Sequence, residues 1–131
     1  MRLLLDTHIL VWSTLQPKRL NRRVARILED RRTERWLSPV SVWEVISGVR
    51  GGKIRLRMDP LDWIKAILEK GLLREAALSY EVALEAGRFE LPHRDPFDRL
   101  IVATARARSL TLVTSDANII ASGTVPVLEG S

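Results

Sequence analysis

An α/β fold, with a parallel sheet covered on both faces, follows from three features of this sequence. Short apolar runs, "LLL" at Leu3–Leu5 and "LTLVT" at Leu110–Thr114, read as strands buried on both sides. Segments of helical spacing separate these runs, and strands alternating with helices imply parallel pairing through crossovers. Asp6 closes the first run and Asp116 follows the run ending at Thr114. Residues in those positions stand at the carboxyl edge of a sheet, where ligands of open parallel sheets gather.

Leu3–Leu5 is the first strand, and Thr7–Leu15 a helix closed by Gln16-Pro17. Asn21 caps a helix over Arg22–Asp30, with Val24, Ile27 and Leu28 at inward spacing. Arg35–Leu37 is a second strand, stopped by Ser38-Pro39, and Val40–Val49 a helix that closes on Gly51-Gly52. Asp59-Pro60 places a cap before a proline at the first helical position and starts Leu61–Lys70. Leu72–Leu78 reads as a strand, Ser79 caps Tyr80–Arg88, and Asp95-Pro96 opens a helix through Arg108. Leu110–Thr114 carries β-branched residues at its end, the strongest strand signal in the chain. A short turn or helix follows, then a last strand over Val125–Leu128.

With 131 residues the chain suits one domain, 1–131, large enough to bury a core. No apolar stretch is long enough to span a bilayer, and the first residues lack the small-residue cleavage site of a signal peptide. There is no cysteine, so disulfides, thiolate metal sites and a cysteine nucleophile are excluded. A cytoplasmic protein without a membrane partner is the expectation. The net charge is +5 and most of the excess is arginine, in runs such as Arg22-Arg23 and Lys53-Ile54-Arg55-Leu56-Arg57. Such a balance favours polyanionic partners, although genome base composition or a high growth temperature also enriches arginine.

Four of the seven aspartates and one of the nine glutamates carry the chemical argument. Asp6 and Asp116 follow strands. Asp95 and Asp98 begin a helix, three residues apart and so on one face. Each has a plain alternative: Asp6 is a good N-cap, and Asp95-Pro96 with Asp98 resembles a capping box. Glu44 is harder to explain that way, because "VSVWEVISG" surrounds it with apolar and small residues. Burying an unpaired carboxylate there costs on the order of several kcal/mol, which a cation would offset. The alternative is an exposed Glu on a surface stripe. Hard oxygen ligands without cysteine point to Mg²⁺ or Mn²⁺ rather than zinc. An acidic cluster in a basic protein suits phosphodiester chemistry, with Arg and Lys holding the polyanion.

In order and spacing, "LLLDTHILVW", "LSPVSVWEV", "LPHRDPFDRLIVATA" and "LTLVTSD" resemble a PIN domain, and within that family the VapC-like toxins of toxin–antitoxin pairs. The resemblance covers nearly the whole chain. It implies a three-layer α/β/α sandwich with a parallel sheet of about five strands. It also implies a metal site lined by Asp6, Glu44, Asp98 and Asp116, with Asp95 as an additional or outer ligand. Thr7, Thr114 and Ser115 match hydroxyl positions that orient carboxylates or water. The implied activity is Mg²⁺- or Mn²⁺-dependent endoribonuclease cleavage, water attacking in line with the leaving 3′ oxygen. Arg99, beside Asp98, would bridge to substrate phosphate or pair with an acid. His8 and His93 are read as structural. The implied partners are RNA, a cognate antitoxin and a second copy of the chain.

Four tryptophans, Trp12, Trp36, Trp43 and Trp63, exceed what the core needs unless all four are buried. An antitoxin tail is expected near Trp12 or Trp43. Two other classes compete with the nuclease: a non-catalytic PIN-like scaffold binding RNA or protein, and a small-molecule phosphohydrolase. The intact acids argue against the first. The missing Asp-x-Asp motif and glycine-rich phosphate loop argue against the second.

Overall fold

In the computed structural model, which describes residues 1–92 and 95–131, the apolar runs lie side by side in one sheet of five parallel strands. The elements in chain order are β1 (Arg2–Leu5), α1 (Thr7–Leu15), α2 (Arg22–Glu29), β2 (Glu34–Leu37), α3 (Pro39–Arg50), α4 (Pro60–Glu69) and β3 (Arg74–Glu75). Then come α5 (Tyr80–Glu85), α6 (Pro96–Arg108), β4 (Thr111–Thr114), α7 (Ala117–Ser122) and β5 (Val127–Glu129). The strand order is β3-β2-β1-β4-β5, and every neighbouring pair is parallel.

The period of two along β1 divides the core into two layers. Leu3 and Leu5 face α1, α2, α3 and α4, packing with Ile9, Val24, Leu28, Val45 and Ile64. Leu4 faces the opposite way, onto Val82 of α5, Ile101 and Val102 of α6 and Ile119 of α7. Both layers are apolar, so Leu3–Leu5 of β1 must be apolar at every position, which is why they read as a continuous run, while Arg2 at the strand's start is exposed.

β3 is shorter than the sequence suggests. Only Arg74 and Glu75 pair with β2, opposite Trp36 and Leu37, instead of the whole of Leu72–Leu78. β2 offers few residues to pair with, and Leu72 and Leu78 at the ends of the apolar run are exposed. α5 likewise stops at Glu85 rather than Arg88, and the last strand starts at Val127 rather than Val125.

Asn21 ties the end of the chain to this frame. Its Oδ1 accepts from Val24 N at 2.8 Å, capping α2, while its Nδ2 donates to Glu129 O at 2.8 Å and its N to Gly130 O at 2.9 Å. Asn21→Ala removes the cap and the side-chain bond to Glu129 together, leaving the backbone bond to Gly130 in place. It is expected to destabilise the protein by about 2 kcal/mol, read as a lower urea midpoint at unchanged slope.

Candidate metal centre

The chain runs outward through β1, β2 and β3, then crosses back to β4 on the other side of β1. That reversal opens a crevice between the carboxyl ends of β1 and β4, where adjoining connections leave in opposite directions. Asp6 leaves β1 there and Asp116 follows β4. The helix α3 brings Glu44, and the start of α6 brings Asp95 and Asp98. Asp6, Glu44, Asp95, Asp98 and Asp116 all line one cavity of about 250 Å³, with Thr7 and Ser115.

Capping and site geometry are the same geometry here. Asp6 is the N-cap of α1: its Oδ1 accepts from Thr7 N at 2.7 Å, and its Oδ2 accepts from the buried Thr114 hydroxyl at 2.7 Å. The Thr114 oxygen accepts in turn from Asp116 N at 3.1 Å. Asp116 caps α7 through Asn118 N and Ile119 N, and Asp95 caps α6 through Phe97 N. Capping a helix and lining the cavity therefore coexist here, because these helices start at the crevice and each capping acid also lines it.

Glu44 is half-buried, with no cation paired to it among the described residues. Its Oε1 accepts from Thr7 Oγ1 at 2.7 Å, and the same hydroxyl lies 2.9 Å from Ser41 Oγ. Ser41 stands three residues before Glu44, one helical turn away. In the sequence Ser41 reads only as a small neighbour; a hydroxyl at that spacing from a carboxylate in an apolar helix is the signal that marks it.

Burial raises the proton affinity of Asp6 above the ordinary carboxylate value, with Asp116 adding repulsion and the Thr114 and Thr7 hydrogen bonds opposing. Burial likewise raises Glu44, with Asp6 and Asp95 adding to the effect and the Thr7 hydroxyl opposing it. The hydroxyls of Thr114 and Thr7 are therefore the main local groups opposing the protonation of Asp6 and Glu44. Thr114→Val keeps the shape and removes the donor to Asp6. The cost is expected to be about 2 kcal/mol at neutral pH, shrinking in acid where Asp6 is protonated; urea titrations at both pH values measure it.

The donor set suits a hard divalent cation: carboxylate and hydroxyl oxygens, without a thiolate. Ser115 Oγ is buried beside the acids and has no hydrogen-bond partner among the described residues. Among those residues, no three Asp, Glu or His side chains stand close enough together to hold an ion as they are oriented. Asp6, Asp95 and Asp116 each accept from a helix-capping N–H and Glu44 from the Thr7 hydroxyl, so ligation requires side-chain rotation.

Two expectations change. Arg99 turns from the cavity: its Nη1 donates to Ala86 O and Phe89 O, both at 2.8 Å, and its guanidinium lies 5.2 Å from the Phe89 ring. It fastens the end of α5 and the following turn to α6. His8 is no buried structural histidine; it is exposed and lines the cavity, 6.1 Å from the Trp12 ring. His93 lies outside the described residues.

The same architecture occurs in known proteins. The PIN-domain family model matches residues 3–122. The chain belongs to the PIN-domain family. It is 31% identical over 116 residues to Ribonuclease VapC22 of Mycobacterium tuberculosis (strain ATCC 25618 / H37Rv), covering 86% of this chain and 85% of that protein. VapBC2 from Rickettsia felis, solved bound to a promoter DNA fragment, superposes with a TM-score of 0.74 at 17% identity over 100% of both chains. FitAcB from Neisseria gonorrhoeae superposes at 0.63 with 26% identity, covering 97% of this chain and 96% of that one. The five-stranded parallel sheet is thus the PIN fold, and among the described residues no helix is long and apolar enough to cross a membrane.

Proposed function

We propose that this PIN-domain chain is a Mg²⁺- or Mn²⁺-dependent endoribonuclease, the toxin of a toxin–antitoxin pair, acting in the cytoplasm as one nuclease domain. The convergence of five carboxylates on one cavity, in a protein of net charge +5, carries this reading. The ribonuclease relative and the VapBC neighbours support the assignment of substrate and partner.

Asp6, Glu44, Asp98 and Asp116 hold the cation, with Asp95 as a further or outer ligand. The chemistry supplied by bound Mg²⁺ or Mn²⁺ is neutralisation of phosphate charge and acidification of water. Asp6, held by Thr7 N and the Thr114 hydroxyl, is fixed at the carboxyl end of β1, the point from which it reaches the ion. Ser115, whose buried Oγ has no hydrogen-bond partner among the described residues, orients water or a ligand oxygen. Glu44 combines partial exposure with a raised proton affinity, which suits it to accept the proton of the attacking water.

The protein acts as a homodimer neutralised by an antitoxin. Trp43, 51% exposed on the helix that carries Glu44, is the aromatic anchor suited to that partner.

Purified protein is expected to cut RNA in Mn²⁺ and to stop when the metal is chelated. RNA left intact with metal present, or cut equally under chelation, overturns the reading.

A further inference from the structure

A second concavity opens beside the acidic cavity and shares His8 and Trp12 with it. It is a groove of about 890 Å³ between α1 and the loop joining α3 to α4. That loop folds back on α3: Lys53 N and Ile54 N both donate to Gly48 O, at 2.8 and 3.0 Å. Gly48 permits this approach, because a Cβ there would meet Ile54 Cδ1 at 2.7 Å. From that anchor the chain alternates. Ile54 and Leu56 are half-buried, while Lys53, Arg55 and Arg57 are exposed. Among the described residues none of these three cations forms an ion pair, and the groove lining contains no Asp or Glu.

The wall next to the acids is built from planar groups. The Arg19 guanidinium lies 4.4 Å from the Trp12 ring, and the His8 ring lies 6.1 Å from Trp12 with a 34° tilt. A row of flat faces therefore leads out of the acidic cavity, opposite a row of unpaired cations.

We infer that this groove is a track for single-stranded RNA, with phosphates held by Lys53, Arg55 and Arg57 and bases stacked on the Arg19–Trp12 pair. The identity of the polymer rests on the nuclease reading; the track itself rests on the groove. Unpaired bases stack on aromatic rings and guanidinium planes, whereas duplex RNA hides its base faces and presents mainly phosphates and hydroxyls. An acidic peptide would satisfy the cations but leave the planar row without stacking partners.

The test is fluorescence anisotropy of a labelled unpaired RNA oligonucleotide under chelation, where nothing is cut, over a range of salt concentrations. Arg55→Gln/Arg57→Gln alters two exposed side chains and is expected to weaken binding at least about tenfold. The slope of log affinity against log salt should fall by about 1.4, two phosphate contacts at roughly 0.7 each. Arg19→Gln is expected to cost about tenfold on unpaired RNA and much less on a duplex of equal length. Unchanged affinity and slope in the double variant overturn the track. So does a poly-glutamate peptide that binds tighter than RNA of equal charge and loses that binding in the double variant. Cleavage in Mn²⁺ separates the two readings. Wild-type protein that binds through these residues but cuts no RNA keeps the track and ends the nuclease assignment. Efficient cutting by both variants does the reverse.

Discussion

Asp6→Asn and Glu44→Gln are each expected to lower RNA cleavage at least about a hundredfold while leaving the protein folded. Both changes keep side-chain shape and remove one negative charge from the cavity. In Asp6→Asn the amide retains an oxygen for Thr7 N, so the cap on α1 survives. In Glu44→Gln the amide oxygen remains an acceptor for the Thr7 hydroxyl. What both lose is attraction for a divalent cation, and Glu44→Gln also loses the capacity to take a proton. Single-turnover cleavage across a Mn²⁺ titration separates these losses. Asp6→Asn should shift the titration to higher metal and be partly rescued there, whereas Glu44→Gln should stay slow at saturation. Wild-type rates in either variant, on an RNA cut only with metal present, remove that residue from the site.

How far the sequence carried this site depended on local geometry. β1 and α1 were readable because an unbroken apolar run buried on both faces, followed by Asp6, leaves little choice of local structure. Asp6, Asp95, Asp98 and Asp116 are legible because strand ends and helix starts are fixed by local signals and the parallel topology gathers them at one edge; Glu44, inside α3, is legible only as a carboxylate in an apolar helix. β3 is not, since its length is set by its partner β2 and the chain's path beyond it. The contacts of Arg99 are not legible, because its acceptors, Ala86 O and Phe89 O, lie 13 and 10 residues away and leave no pattern beside Asp98. The groove was visible only as charge. Its signal was the alternation in Lys53-Ile54-Arg55-Leu56-Arg57, which separates an anchored loop with one basic face from an ordinary solvated run.

Asp116→Asn is expected to be the more stable protein without metal and the less stable one with it. Asn caps a helix about as well as Asp, so the bonds from Asn118 N and Ile119 N are kept and α7 is unaffected. The substitution removes a negative charge that repels buried Asp6. At neutral pH the relief should be worth about 1 kcal/mol, the order for like charges sharing a partly solvated cavity. The pH dependence has a definite sign. Asp6 and Glu44 bind protons more tightly folded than unfolded. The stability they contribute is complete below the ordinary carboxylate values and is lost as pH rises through the raised folded values. Metal-free wild type therefore pays most at neutral pH, and the advantage of Asp116→Asn should vanish as pH falls through that window. Saturating Mn²⁺ reverses the order at neutral pH. Metal at a hundred times its dissociation constant stabilises wild type by about 2.7 kcal/mol, a rise of roughly 10 °C in melting temperature. The variant, lacking one ligand charge, should gain far less. In acid the metal effect should fade as well, because protons compete for Asp6 and Glu44. Melting curves of both proteins, with chelator and with Mn²⁺ at neutral and acidic pH, distinguish a cation site from a set of helix caps. If the four conditions give the same ranking and no Mn²⁺ shift, Asp116 is a cap alone.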